Sequence, residues 1–534
     1  MEIPLNPVTM DEADKLVSSE PQESHDRYLP IRKLIPLVLG LSLNVFATSL
    51  DNTIITTAIP TIADQFHSLD DVGWYGSVYF LTTCAVTLIF GRLYTFFNVK
   101  WVYLCALLVF EIGSFLCGIA PTSTALITGR AIAGLGSGGL LTGSLLIAVN
   151  TVPPETRPLL LGIVSSVYGV ASVVGPLLGG VFTDHVTWRW CFYINLPLAI
   201  LPTLIILFMF KPPSPKQGIP LSQKLLDLDP IGNILFVAAV ICLLLAVQWG
   251  GVKYAWKSAW IIALFVTSGV LGISFIGLQW WRGDRATLPG RIVKKRGVWG
   301  SAWFMFFMGG SYYSLQYYLP IWFQTVKDRT AVMSGVMTLS MILTVTAASI
   351  LSGALVMKVG YFNPFMIVGC ILGITGAGLL TTLHPDSGHS KWIGYQALLG
   401  IGVGLCIQLP FTIVQTVNKA EDIPVATAFM TFIQTLGATL ALAICQNVLQ
   451  VFLRANISKR VPSADASKIL AAGLTNFRNF VAAQDLPNMV SAYNDAIMDI
   501  FYVAVAFSVL AIVGVLVLEW RSVRQKQSDH VIGD

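Results

Sequence analysis

Runs of about twenty apolar residues recur along almost the whole chain, each ended by charged residues or a Pro/Gly cluster. Twenty helical residues rise ~30 Å, the thickness of a bilayer's hydrocarbon core. About fourteen such spans are predicted. The first falls at 34–58, the ninth at 299–323, the thirteenth at 424–449 and the last at 497–519. The expected fold class is an all-α membrane protein.

Composition agrees with the pattern. Of 534 residues, 55% are apolar and only 11% charged, where soluble domains carry about 25% charged residues. The mean hydropathy is +0.71. A string of soluble domains is excluded. The eight cysteines lie in or beside apolar runs, without CxxC spacing or a partner histidine. They read as small core residues, and no metal or cofactor is expected.

The net charge of +5 points to cytoplasmic loops, not to nucleic acid. With the N-terminus placed inside, Lys and Arg concentrate in the inner segments, so both termini are expected in the cytoplasm. Loop 282–298, "RGDRATLPGRIVKKRGV", is the most basic. It reads as a solvated, orientation-setting loop, with contact to anionic lipid as the alternative. Residues 1–33 lack the basic and apolar regions of a cleaved signal. They read as a disordered cytoplasmic tail, and 520–534 as a second tail.

A weak internal repeat divides the spans. "GRLYTFFNVKW" from Gly91 follows the second span and "GALVMKVGYFNP" from Gly353 follows the tenth. Transporters are often built from such repeats. Twelve core helices then form two six-helix halves, 34–210 and 299–519, the latter including an outer loop 450–496. Segment 211–298 inserts two extra helices and the basic loop between them.

The fifth span contains "GVASVVGPLLGG". On a helix, Ala171, Gly175, Gly179 and Thr183 form one i,i+4 row, and Ser172, Pro176 and Gly180 the adjacent one. Such a flat face of small residues is a helix contact surface in lipid. Pro176 removes a backbone hydrogen bond at the carbonyl of Ser172.

This stretch resembles the fifth-span motif of antiporters of the major facilitator superfamily, with Ala171 at the position of the leading glycine. "LDNTIITTAIPTIADQF", "ITGRAIAGLGSGG", "WRWCFYINLP", "LDPIGNILF" and "YYLPIWFQTVKDRTAVMSG" are similar to further marks of its fourteen-span drug:proton antiporters. The resemblance covers roughly 34–520 and is nearest to fungal multidrug and toxin exporters. It implies the major facilitator fold. It also implies that the fifth span lies where the halves meet, so that its flat face seals one state of a cavity; tight packing of two static helices is the alternative. The family's loop after the second span usually carries an Asp and a second Gly; here Thr95 and Asn98 stand there. Gly91, Arg92 and Lys100 remain as the gating-loop candidates.

No phosphate-binding G-x-x-x-x-G-K-[ST] motif occurs, so an ion gradient or downhill flow must drive transport. "GLGSGG" from Gly134 lies mid-span with no preceding strand and reads as helix packing.

Three charges fall deep within spans: Asp51, Glu111 and Arg130. Charges there are costly and are functional candidates by default. In the resembled family the helices of Asp51 and Arg130 line one cavity. Burial favours the neutral acid and an arginine neighbour the carboxylate, so Asp51 reads either as a titratable proton carrier or as one half of a permanent ion pair. Glu111 reads as a structural hydrogen-bonding group or the second proton candidate. The ninth span is aromatic, and the resemblance places it on the cavity. Tyr312, Tyr313, Gln316 and Tyr317, with Gln408, Gln415 and Gln434, are the substrate-cavity candidates. Asn456 opens a glycosylation sequon close to the membrane. "LPNMVSAYNDAIMDI" and "ASKILAAGL" read as short amphipathic helices on the outer surface.

The expected function is a proton-coupled exporter of small organic molecules such as drugs, toxins or secondary metabolites, working by alternating access. An importer of a small solute or siderophore on the same fold is the alternative. A non-enzymatic, monomeric, multi-pass protein of the plasma membrane is expected, the vacuolar membrane being the other location. Its partners are the organic substrate, protons and the lipid bilayer.

Overall fold

In the computed structural model, residues 30–66, 71–153, 156–210, 212, 220–251, 253–462, 478 and 481–520 are described. Most of the two tails read from the sequence, 1–29 and 521–534, lies outside them, as does "ASKILAAGL". Among the described residues the structure is helical, without a β-strand.

The first half comprises α1 (Ile31–Phe66), α2 (Val72–Phe96), α3 (Val99–Ile119), α4 (Ser123–Thr151), α5 (Arg157–His185) and α6 (Asn195–Met209). Two inserted helices follow, α7 (Pro230–Trp249) and α8 (Ala259–Arg282). The second half comprises α9 (Arg296–Thr325), α10 (Leu339–Val359), α11 (Asn363–Leu380), α12, α13 (Ile423–Arg460) and α14 (Leu486–Val517). Helix α12 runs in two pieces, His389–Cys406 and Leu409–Val417. With fourteen crossings, α1 begins and α14 ends at the same end of the bundle, here the terminal end; the other is the distal end.

Local chemistry sets several helix starts. Asn98 caps α3 by accepting from Lys100 N at 3.0 Å, and Thr122 caps α4 by accepting from Ala125 N at 3.2 Å. Asp229 caps α7 from a left-handed backbone (φ 53°), accepting from Gly232 N at 2.9 Å. Asp is one of the few non-glycine residues that tolerate that conformation.

Thirteen helical segments among the described residues are long and apolar enough to cross a membrane. Helix α9 is not one of them, although it has 30 residues. Its Gly, Ser, Gln and Tyr content lowers its hydropathy, as expected of a helix that faces a polar interior.

Within each half the helices pack mainly on one another: α1 on α5 and α6, α3 on α4, α9 on α13 and α14, α12 on α10 and α11. The halves meet along two seams, α5 on α10 and α2 on α13. Both seams close on glycine at the terminal end. A Cβ on Gly91 of α2 would lie 2.6 Å from Ala428 Cβ and 3.3 Å from Pro424 O of α13. A Cβ on Gly353 of α10 would lie 2.6 Å from Pro158 O and 2.7 Å from Leu159 Cα of α5. These glycines are the anchors of the sequence repeat. Each lets one helix end lie directly against a partner that starts at a proline.

The inserted pair packs across the α2/α13 seam. Phe236 of α7 stacks near Phe275 of α8 (centroids 5.2 Å) and Phe432 of α13 (5.0 Å). Helix α8 is otherwise almost entirely exposed, the signature of a lipid-facing helix.

Two expectations need correction. The outer loop is shorter than 450–496, because α13 continues to Arg460 and α14 begins at Leu486. "LPNMVSAYNDAIMDI" is therefore not a separate surface helix but the first turns of α14. Met489, Ala492 and Tyr493 are buried there. Asn456 lies within α13 and is half-buried.

Candidate functional site

A cavity of about 720 Å³ lies between the halves. It runs from Leu145 and Val164 in the terminal half of the bundle to Trp74, Trp249 and Lys253 at the distal end. Helices α1, α2, α4, α5, α7, α9, α10, α12 and α13 all contribute to its wall. Pockets of about 300–1,000 Å³ suit drug-sized ligands.

Five of the seven substrate-cavity candidates come together here: Tyr312, Tyr313, Tyr317, Gln408 and Gln434. The other two do not line it. Gln316 points across the α5/α9 contact and donates from Nε2 to Ser172 Oγ at 2.8 Å. Gln415 is buried in the second piece of α12. Gln408 and Gln415 are seven residues, about two turns, apart, but the lining from α12 ends at Phe411, so Gln415 lies beyond the cavity toward the terminal end.

Sequence reasoning missed the opposite wall. Thr48 and Asn52 of α1, Tyr79 of α2 and Tyr168 of α5 also line the cavity. Tyr168 meets Tyr313 edge-to-face at 5.9 Å, and Tyr313 meets Tyr312 at 5.4 Å. The i,i+4 spacing of Thr48 and Asn52 was readable; which face of α1 turned inward was not.

Asp51 and Arg130 form an ion pair, both side chains fully buried. The guanidinium also donates from Nε to Tyr75 O at 2.8 Å. It lies over the ring of Tyr79, 4.5 Å from the centroid. Asn195 of α6 completes the cluster. Its Nδ2 donates to Asp51 Oδ1 at 2.9 Å and to Ser114 Oγ of α3 at 3.1 Å. Asn195 was quoted in the sequence but given no role; only folding brings α6 against α1 and α3. Neither Asp51 nor Arg130 lines the cavity. The pair sits behind Tyr79 and Thr48, linked by the Tyr79 hydroxyl donating to Thr48 O at 3.3 Å. The helices of Asp51 and Arg130 line a common cavity, but these two side chains turn into the interior of the first half.

Glu111 is half-buried on α3, one turn before Ser114. Both its oxygens are buried without a hydrogen-bond partner.

The small-residue row of α5 faces α1, within its own half. A Cβ on Gly175 would strike the Thr53 side chain and lie 3.0 Å from Ile54 N. One on Gly179 would strike Ile54 O and Thr57. Thr53 Oγ1 donates to Ala171 O at 3.2 Å. Gly180 has open space around it, and Pro176 lies inside a continuous helix. The sequence placed this row at the boundary between halves. The boundary contacts of α5 are Pro158, Leu159 and Gly162 near its start, Tyr168 and Gly169 at mid-height, and Ser172 of the adjacent row. The glycines serve the close approach of α1.

The gating-loop candidates are engaged at the terminal end. Arg92 donates from Nε to Thr287 O at 3.0 Å, and Lys100 from Nζ to Leu207 O at 2.5 Å. Thr95 and Asn98, which replace the family's Asp and Gly, bond locally: Thr95 Oγ1 donates to Gly91 O at 2.9 Å, and Asn98 caps α3. The segment after α8 ties the halves together. Thr287 also donates to Asp229 Oδ2, from N at 3.2 Å and from Oγ1 at 3.0 Å. Arg291 reaches Asp422, at the start of α13, at 2.9 Å and Asp284 at 3.2 Å. The basic loop is thus a structured strap from α2 to α13. Among the described residues, no group of three or more His, Cys, Asp or Glu could hold a metal ion.

A helical bundle in two halves around a central cavity, with a buried ion pair behind its wall, is the architecture of a secondary transporter. The sequence profile of the Major Facilitator Superfamily matches residues 41–442. The efflux pump roqT of Penicillium rubens is 51% identical, over 93% of this chain and 92% of its own length. The efflux pump aunC of Aspergillus niger is 50% identical, over 92% and 93%. Among solved structures, a bacterial homologue of the human lysosomal transporter Spinster, inward-facing and unoccupied, superposes with a TM-score of 0.56. It shares 16% identity and covers 92% of this chain and 98% of its own. The proton:xylose symporter XylE gives 0.54, with 13% identity over 89% and 95%. This chain belongs to the Major Facilitator Superfamily and is a multi-pass integral membrane protein.

Proposed function

We propose that this protein is a proton-coupled exporter of small organic molecules that works by alternating access. The observation that carries the reading is the buried Asp51–Arg130–Asn195 cluster placed directly behind the cavity wall at Tyr79 and Thr48. Asp51 is the proton-binding group, Arg130 its counter-charge and Asn195 the group that holds the carboxyl in place. The cavity receives the substrate. Proton binding at Asp51 disturbs the guanidinium over Tyr79 and, through that ring, the cavity wall. A proton and a substrate then bias the same equilibrium between two states of the halves. The glycine contacts at Gly91 and Gly353 close the terminal end in the state described here. Glu111, one turn from Ser114, is the next stop for the proton.

Export is the direction that the names of the relatives at about 50% identity support. The excess of Lys and Arg in one set of loops supports both termini in the cytoplasm, and we place the protein in the plasma membrane as a monomer.

Vesicles containing the purified protein, loaded with a pH-sensitive dye, test the reading. Adding substrate should drive proton flux in wild type and none in Asp51→Asn. Full flux in Asp51→Asn would sink it and move the test to Glu111.

A further inference from the structure

The cavity wall is uneven in charge. Among the described residues that line it there is no Asp or Glu, and Lys253 is the one charged side chain. The acids Asp51, Glu111 and Asp71 do not line it, and Asp71 accepts from Ser123 Oγ. Asp51 is already paired with Arg130 behind Tyr79, and Glu111 is on α3, which contributes no residue to the lining.

The rest of the wall is phenolic and amide. Six tyrosines line it, at 79, 168, 312, 313, 317 and 318. Their hydroxyls and the amides of Gln408, Gln434, Gln446 and Asn447 both donate and accept hydrogen bonds. Tyrosine faces attract cations, but several of these faces are covered. Arg130 occupies the ring of Tyr79 at 4.5 Å. The pairs Tyr168–Tyr313, Tyr312–Tyr313 and Tyr317–Tyr318 pack edge-to-face at 5.9, 5.4 and 5.1 Å.

Lys253 is held at the distal rim by a built turn. Gly251, at φ 77°, donates to Tyr254 O at 2.8 Å, and Lys253 N donates to Trp249 O at 2.9 Å. A side chain at Gly251 would strike Asn447 of α13, so the turn lies flat on the second half. The ammonium sits 5.5 Å from the Trp249 ring and 5.8 Å from that of Tyr254. An ammonium beside two aromatic rings, over a cavity without carboxylates, offers an acidic aromatic ligand a counter-charge and a stacking surface. A permanent cation entering the same space sheds water with no carboxylate to meet it, and desolvated charges need pairing.

We propose that the cavity takes uncharged and anionic polyaromatic molecules, such as polyphenols and aromatic acids, rejects permanent organic cations, and uses Lys253 to favour the acidic members. This rests on the export reading for the role of the cavity. Equilibrium binding, however, requires neither a gradient nor a direction, so the two stand or fall separately.

The test uses the purified full-length protein and three probes on one scaffold: anthraquinone-2-sulfonate, 2-(hydroxymethyl)anthraquinone, and an anthraquinone bearing a trimethylammonium group. Quenching of tryptophan fluorescence reports binding, since Trp74 and Trp249 line the cavity. The sulfonate and the neutral probe should bind, and the cation at least about tenfold more weakly than the neutral probe. Lys253→Gln should weaken the sulfonate about fivefold, the scale of a solvent-accessible ion pair. The neutral probe should stay within about twofold of its wild-type affinity, which also shows that the variant is folded. Lys253→Glu should strengthen the cation. Equal binding of cation and neutral probe, an unchanged sulfonate affinity in Lys253→Gln, or no binding by any probe would each overturn the proposal.

Discussion

Asn195 Nδ2 stands 2.9 Å from Asp51 Oδ1, and the same nitrogen reaches Ser114 Oγ at 3.1 Å. One amide therefore ties α6, α1 and α3 together at a carboxyl that also faces Arg130. The geometry fixes Asp51 from two sides, and the variants of the cluster should separate charge from position. Arg130→Ala leaves a buried carboxyl without its counter-charge. It should cost about 3–5 kcal/mol, read as a large drop in melting temperature and loss of transport. Asp51→Asn keeps the shape and should melt closer to wild type while losing coupling. Asn195→Leu should retain folding but change the pH profile of transport. An Asn195→Leu profile that overlays wild type would show that the amide holds helices only.

The seam glycines predict a trapped conformation. Gly353→Leu places its side chain against Pro158 O and Leu159. Rigid backbone is the obstacle, so the α5/α10 contact cannot close as it does here. Paired spin labels at the terminal ends of α5 and α10 should report a longer distance, with transport reduced more than about tenfold, a barrier of ~1.4 kcal/mol. An unchanged distance would mean that the contact adapts locally and does not control the state.

The cavity candidates should divide by position. Gln434→Ala and Gln408→Ala remove polar groups from the wall and should change substrate affinity by about 1 kcal/mol, roughly fivefold. Gln415→Ala, buried away from the wall, should change stability and leave the order of substrate preference intact. A reordered preference in Gln415→Ala would contradict the cavity as drawn.

Asp229 predicts a pH dependence of stability. Burial works to raise its carboxyl, but hydrogen bonds from Gln279, Gly232 and Thr287 and the charge of Arg282 outweigh it and hold the group below the usual carboxylate range. A depressed acid stabilises the fold above its unfolded value of about 3.9, and that contribution is lost as pH falls through the lower folded value. Asp229→Asn should therefore destabilise the protein at pH 7 by about 1–3 kcal/mol. The gap to wild type should narrow below about pH 4. A gap that stays constant with pH would assign Asp229 a purely packing role.

The strap offers a milder lever. Arg291 is partly exposed, so Arg291→Ala should cost only about 0–1 kcal/mol. Its effect should appear as a small shift of the labelled α2–α13 distance at the terminal end. A change as large as that of Gly353→Leu would mean that the strap, not the glycine seam, holds the halves together.

The sequence by itself determined the spans, the two halves and their insert. Apolar runs of bilayer length are a local property, and each helix satisfies its own backbone whatever its neighbours do. It also pointed to the costly charges, Asp51, Glu111 and Arg130, because a charge in hydrocarbon stands out in any context. Helix α9 was placed on the cavity by the family resemblance, and its aromatics suit that place even though its hydropathy is modest. Tertiary structure alone decided which face of each helix turned where. The row Ala171, Gly175, Gly179 is a contact surface by composition, but its partner is α1 and not the other half, because any backbone can approach a flat face. Gln408 and Gln415 look equivalent in sequence, but the cavity's reach along α12 ends at Phe411, between them. Asn195 and Asp51 are 144 positions apart, and nothing local marks an asparagine as the partner of a distant carboxylate. Pairing between helices is set by shape and packing across the whole bundle, and that information is absent from any one span.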